Sequence, residues 1–183
     1  MIIGLTGTFG AGKGEISRVL GERGYAYHSC SDVLREELKA LGKEETIESL
    51  AGLGNEIRAK FGAGELPKRL IAMIRECGEE KAIVDSIRSI GEVEELRKEK
   101  DFVMLSVQAP IELRYERIRN RGRKGDDISF EELTNQENAQ MGGSDATQNL
   151  GKCMSMADYR VVNDGTLEEL EKKVVELLSK MEG

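Results

Sequence analysis

Histidine is nearly missing from this chain of 183 residues: His28 stands alone. A single imidazole excludes histidine-rich metal sites and any catalytic pair of histidines, so His28 is expected to be structural. Cysteine is scarce too. Cys30, Cys77 and Cys153 are odd in number and widely spaced, without the close pairs of a zinc site or redox motif. They read as small, partly buried hydrophobes in a reducing cytosol. No apolar run approaches membrane-spanning length, and the chain opens on a strand-like run instead of a charged leader with a cleavage site. The expectation is a soluble, cytoplasmic protein without a membrane partner. Repeats and low-complexity linkers are absent as well, and 39% hydrophobic with 33% charged residues suits one packed domain, 1–183. Positive charge is in deficit, and the net charge of −7 argues against a nucleic-acid partner.

Glycine is what the chain has in quantity, 21 in all. The stretch Gly7-Thr8-Phe9-Gly10-Ala11-Gly12-Lys13-Gly14 follows the apolar run Ile2 to Leu5 and leads into Ile16, Val19 and Leu20 at helical spacing. Gly7, Gly12 and Lys13 stand at the spacing of the phosphate-binding P-loop, in the strand–loop–helix setting that the motif requires. Such glycines let successive N–H groups turn inward on phosphate oxygens, and the lysine reaches the terminal phosphates. The next position, where a Ser or Thr hydroxyl would sit on Mg²⁺, is Gly14, followed by Glu15. A carboxylate so close to bound phosphates repels them unless a cation stands between.

Downstream, strand-like and helix-like segments alternate. Ala26-Tyr27-His28, Lys81 to Asp85, Phe102 to Val107 and Asp158 to Val162 are the further strand candidates. Helices are expected from a cap at Ser31, over Glu44 to Phe61, with Pro67 in a first turn, around Val93 and Leu96, and over Ile111 to Arg121 with Tyr115 and Ile118 inward. Capping boxes at Ser129/Glu132 and Thr166/Glu169 start two more. The pattern predicts a mostly parallel sheet covered on both faces, with ligands gathered outside the carboxyl ends of its strands. Segments just after strands then converge: the glycine loop, Ser29 to Arg35, Asp85 to Arg88, and Asn163 to Gly165.

Two of these segments resemble nucleoside monophosphate kinases. Ser29-Cys30-Ser31-Asp32-Val33-Leu34-Arg35 is similar to the acceptor segment of adenylate kinase, and Asp85-Ser86-Ile87-Arg88 to its Asp-Gly-aromatic-Pro-Arg segment, one residue shorter. The resemblance implies that Arg35 and Arg88 clamp the acceptor's phosphate, with Asp32 in that site, and that Asp85 orders the waters of a metal. Arg114, Arg117, Arg119, Arg121 and Arg123 fall within ten residues. Of these, Arg117 and Arg121, with Arg123 joining, resemble the lid arginines of adenylate kinase and dephospho-CoA kinase, which act on the transferring phosphoryl group; Arg114 and Arg119 read as a solvated face. The stretch from Ala157 to Leu170 is more similar to dephospho-CoA kinase, where the loop after the last strand, here with Asn163 and Gly165, passes the donor base. Kinase-like segments in front of some deoxycytidylate deaminases are similar as well.

The family resemblance implies a three-layer α/β/α P-loop NTPase domain with a mostly parallel five-stranded sheet and a small helical lid at about 114–142. It implies ATP and Mg²⁺, with Gly7 to Glu15 on the donor and a small nucleotide as acceptor. A monophosphate is largely ionised near neutral pH, its second pKa being about 6, and needs clamps but no base. A sugar hydroxyl, as in dephospho-CoA, needs a carboxylate, and Asp32 is the candidate. Transfer to a nucleoside monophosphate leads, transfer to dephospho-CoA follows, and a nucleotide-binding sensor without transfer is the reading from another class.

Overall fold

Strands rich in Ile, Val and Leu need both faces covered, and the chain supplies helices between them. The computed structural model describes residues 1–122, 126–142 and 147–182. In order, the elements are β1 (Ile2–Gly7), α1 (Lys13–Gly21), β2 (Ala26–Ser29), α2 (Cys30–Ala40), α3 (Ile47–Phe61), α4 (Glu65–Glu76) and β3 (Ala82–Asp85). There follow α5 (Ile90–Leu96), β4 (Phe102–Gln108), α6 (Ile111–Arg121), α7 (Phe130–Met141), α8 (Leu150–Ser155), β5 (Tyr159–Val162) and α9 (Leu167–Glu182). The strands pair in the order β2-β3-β1-β4-β5 and every ladder is parallel.

Side chains alternate across each strand, so neighbours in sequence enter opposite layers. Ile3, Leu5, Ile83 and Leu105 meet Ile16 and Leu20 of α1 and Leu170 and Val174 of α9. Val84 and Met104 meet Leu34, Ile57, Leu70 and Leu96 from α2 to α5 on the other face. The result is the three-layer α/β/α arrangement, with the sheet parallel throughout its described residues. The chain leaves β1 toward β2 but leaves β4 toward β5, so connections diverge at the carboxyl ends of two neighbouring strands. A crevice opens at such a point.

Several local expectations need correction. Ser29, not Ser31, caps α2: its hydroxyl accepts from Ser31 N–H at 3.2 Å, because the helix starts directly from the extended end of β2. The inward residues of α6 are Arg114 and Ile118, whereas Tyr115 is half-buried and meets Phe130 edge-on at 5.4 Å between centroids. Cys77 is exposed while Cys30 and Cys153 are buried. The short α8, capped by Asn149, had no counterpart in the hydrophobic pattern. Both further capping boxes form as expected. No helix among the described residues is long and apolar enough to cross a membrane.

Candidate functional site

The glycine loop leaves β1 pressed against β4 and turns into α1 at Gly12, whose φ of +102° belongs to the left-handed region. A side chain there would also collide with the Asn163 amide, so only glycine fits. No described side chain caps α1, which leaves the N–H groups of Lys13 and Gly14 open toward a ligand. Lys13 folds back over the loop, its Nζ donating to the carbonyls of Gly7 at 2.8 Å and Thr8 at 3.1 Å. Burial lowers its pKa; Asp85 acts against that, and Arg88, Arg114 and Arg121 reinforce it. Lys13, Arg88, Arg114 and Arg121 stand with Asp85, with Glu137 on Arg114 and Asp126 on Arg121, which leaves positive charge in slight excess.

A cleft next to the loop is lined by Gly7, Thr8, Phe9 and Lys13, by Ser31 and Arg35 of α2, and by Arg88. Its further wall comes from Ile47 and Leu50 of α3, from Leu133, Gln136, Glu137 and Gln140 of α7, and from Leu150. Lys13, Arg35 and Arg88 therefore share one space. Arg35 donates to Asp32 at 2.6 Å and to Glu45 at 2.7 Å, on the exposed rim. Arg88 differs: its guanidinium makes no hydrogen bond or ion pair with any described residue, and burial lowers its pKa. Its backbone is fixed, with its N–H on Glu92 at 2.7 Å and its carbonyl accepting from Asn149 at 2.7 Å. Glu92, wholly buried, also accepts from Arg58 at 2.7 Å. An ion pair inside the core thus sets the main chain that carries Arg88.

The other expected residues take varied places. Asp85 is buried, accepting from the Tyr27 hydroxyl at 3.0 Å and from Ser86 N–H at 2.5 Å. Asp32 is half-exposed, bonded to Arg35, and does not line the cleft. Asn163 is buried and its Nδ2 donates to the Ala11 carbonyl at 2.9 Å, so it braces the loop from behind. Arg117 donates to the carbonyls of Asn163 at 3.0 Å and Gly165 at 3.5 Å, and does not line the cleft. Arg121 pairs with Asp126 at 2.6 Å and stacks on Phe9 at 5.0 Å. Arg123 lies outside the described residues.

Glu15 pairs with Arg18 at 3.1 Å, but Arg18 is shared with Glu22 and Glu171, so one guanidinium serves three carboxylates there. A side chain at Gly14 would meet nothing within 4 Å. The missing hydroxyl is thus a matter of residue choice, not packing. No group of three or more His, Cys, Asp or Glu that could hold a metal occurs among the described residues. Asp85 beside Lys13, with no hydroxyl at Gly14, suits Mg²⁺ carried on nucleotide phosphates and reached through water instead of a protein cage.

Arg114 is the residue whose expected place was wrong. It is 3% exposed, donates to the carbonyls of Ala109 at 2.9 Å and Phe9 at 3.1 Å, and pairs with Glu137 at 2.5 Å. It joins α6, the loop and α7 in one contact. The signal was its spacing: Arg114 shares a helix face with Arg117 and Arg121. Gln136, Glu137 and Gln140 were also missed, although Leu133, Gln136 and Gln140 recur on one side of α7.

A family profile described as an AAA domain matches residues 3–142. A UPF0200 protein of Sulfurisphaera tokodaii is 37% identical over 182 residues, covering 98% of this chain and 97% of that one. One from Methanosarcina mazei is 34% identical, covering 97% and 94%. Among solved structures, TT1252 from Thermus thermophilus superposes with a TM-score of 0.59 at 23% identity, over 100% of this chain and 98% of that one. Dephospho-CoA kinase from Campylobacter jejuni gives 0.54 at 14%, over 98% and 96%. Shikimate kinase from Bacteroides thetaiotaomicron gives 0.59 at 15%, over 98% of both chains. These last likenesses concern the fold alone. With relatives matched over nearly their whole length and a P-loop cradle at the head of a parallel sheet, the chain belongs to the UPF0200 family and has a P-loop kinase-like fold.

Proposed function

We propose that the protein transfers the γ-phosphoryl group of ATP to the phosphate of a nucleoside monophosphate. Arg88 carries this reading: a half-buried guanidinium that hydrogen-bonds no described residue, lining one cleft with Lys13 and Arg35. A partly desolvated guanidinium whose donors meet no described acceptor is suited to an anionic ligand, which would supply those acceptors. Lys13 and the loop N–H groups hold the donor's phosphates. Arg88 and Arg35 fork the acceptor phosphate and aim one of its oxygens in line with the γ-phosphorus. As that oxygen forms its bond, the bond to the β-phosphate oxygen breaks and its electron pair leaves with ADP. Arg121, parted from Asp126, and Arg123 neutralise charge on the transferring group, while Arg114 and Arg117 keep the loop and its neighbours in place. Mg²⁺, when bound to the donor, would supply further neutralisation, with Asp85 ordering its waters.

The position of Asp32 favours a phosphate over a hydroxyl acceptor. As the base for dephospho-CoA it would have to leave Arg35 and enter a cleft that it does not line. Coupled ADP release, screened across nucleoside and deoxynucleoside monophosphates and dephospho-CoA beside ATP affinity, tests the proposal. Release only with a monophosphate is expected. Release with dephospho-CoA alone overturns it, and tight ATP binding without release selects a sensor.

A further inference from the structure

The cleft is lined by the cations Lys13, Arg35 and Arg88, and also by residues of another character, among them Glu137, which Arg114 holds. Ile47, Leu50, Leu133 and Leu150 form aliphatic walls, and Gln136 and Gln140 of α7 add two primary amides. Both glutamines are half-buried, and neither side chain hydrogen-bonds any described residue. Four residues apart, they sit one above the other on a single helix face, about 5–6 Å between Cβ atoms. A small polyhydroxylated acceptor would leave the aliphatic walls unused. A ligand with flat apolar faces and a rim of donors and acceptors uses both features, and a nucleobase has that form. A primary amide presents one donor and one acceptor side by side, the arrangement that pairs in bidentate fashion with a base edge.

We infer that α7 is the base-reading wall of the acceptor site, with Gln136 and Gln140 hydrogen-bonded to the edge of the acceptor's base and Ile47, Leu50 and Leu133 against its faces. This rests on the proposed transfer to a monophosphate and adds the residues that choose among monophosphates. The cations supply affinity for any phosphorylated acceptor, and the glutamines supply discrimination.

The test uses the full chain saturated with a non-hydrolysable ATP analogue. The four common monophosphates and ribose 5-phosphate, which has no base, are titrated by calorimetry into the parent, Gln136→Leu, Gln140→Leu and Gln136→Glu. Each leucine variant is expected to weaken the preferred monophosphate roughly tenfold, one lost hydrogen-bonded contact, and to leave ribose 5-phosphate unchanged. Gln136→Glu, which keeps an acceptor but loses the donor, is expected to shift preference toward bases bearing an amino group. Parental base ranking in all three variants overturns the inference and leaves transfer to monophosphates standing. Absence of any monophosphate binding to the parent overturns both.

Discussion

Asn163 and Ala11, 152 residues apart, are joined by one buried hydrogen bond from the asparagine Nδ2 to the alanine carbonyl at 2.9 Å. Through it the loop after β5 sets the shape of the loop after β1. Arg117 extends the link by holding the Asn163 carbonyl at 3.0 Å. Asn163→Ala strands a buried carbonyl, at a cost of about 1–3 kcal/mol. ATP affinity is expected to fall about tenfold in calorimetric titration, with acceptor affinity unchanged; a parental ATP affinity would show that the brace does not shape the site.

Glu92 holds two things at once, Arg58 inside the core and the backbone N–H groups of Arg88 and Ser89. Glu92→Gln keeps the shape but leaves Arg58 buried without its counter-charge, at about 3–5 kcal/mol. That corresponds to a loss of roughly 10 °C in melting temperature for a chain of this size. Adding Arg58→Met should recover part of the loss. Scanning calorimetry of the single and double variants checks this, and a single variant that melts with the parent contradicts it.

The strands were legible because a doubly covered parallel sheet demands apolar runs, and Ile2 to Leu5, Lys81 to Asp85 and Phe102 to Val107 are such runs. The meeting of Lys13, Arg35 and Arg88 was legible for the same reason: residues just after parallel strands share one edge of the sheet. Arg114 was not, because an arginine in a charged helix resembles its solvated neighbours until its carbonyl partners at Ala109 and Phe9 are known. The α7 wall was hidden differently. Glutamines look like surface residues, and only the packing of α7 beside the loop puts Gln136 and Gln140 on the cleft wall.

The thiols separate by environment. Burial, with Glu92 nearby, raises Cys30 well above 9.0 and Cys153 to about 12, while Cys77 is exposed. One equivalent of an aromatic disulfide reagent should react with the native protein near neutral pH, and all three thiols after denaturation. A second rapid equivalent in the native state would contradict the buried placement.

Lys13 must be charged to grip phosphates, yet its folded pKa lies below 10.5 because its half-buried position desolvates it. Between that lowered value and 10.5 the unfolded chain holds a proton that the empty folded site lacks, so this lysine makes stability rise with pH across the window. Bound phosphates restore the ammonium. ATP binding should therefore take up a proton there, and affinity should fall as pH rises through the window. Titrations up to about pH 10 in buffers of differing ionisation enthalpy measure the uptake, which Lys13→Met should abolish.

The central claim is that the seat around Lys13 and the cations across the cleft work on one reaction. Transfer of label from γ-radiolabelled ATP to the preferred monophosphate, in single turnovers of the parent, Lys13→Ala and Arg88→Ala, tests it most directly. The account predicts a loss of at least about a hundredfold for Lys13→Ala and a large loss for Arg88→Ala that higher acceptor concentration partly restores. Full phosphoryl transfer by Lys13→Ala would contradict it.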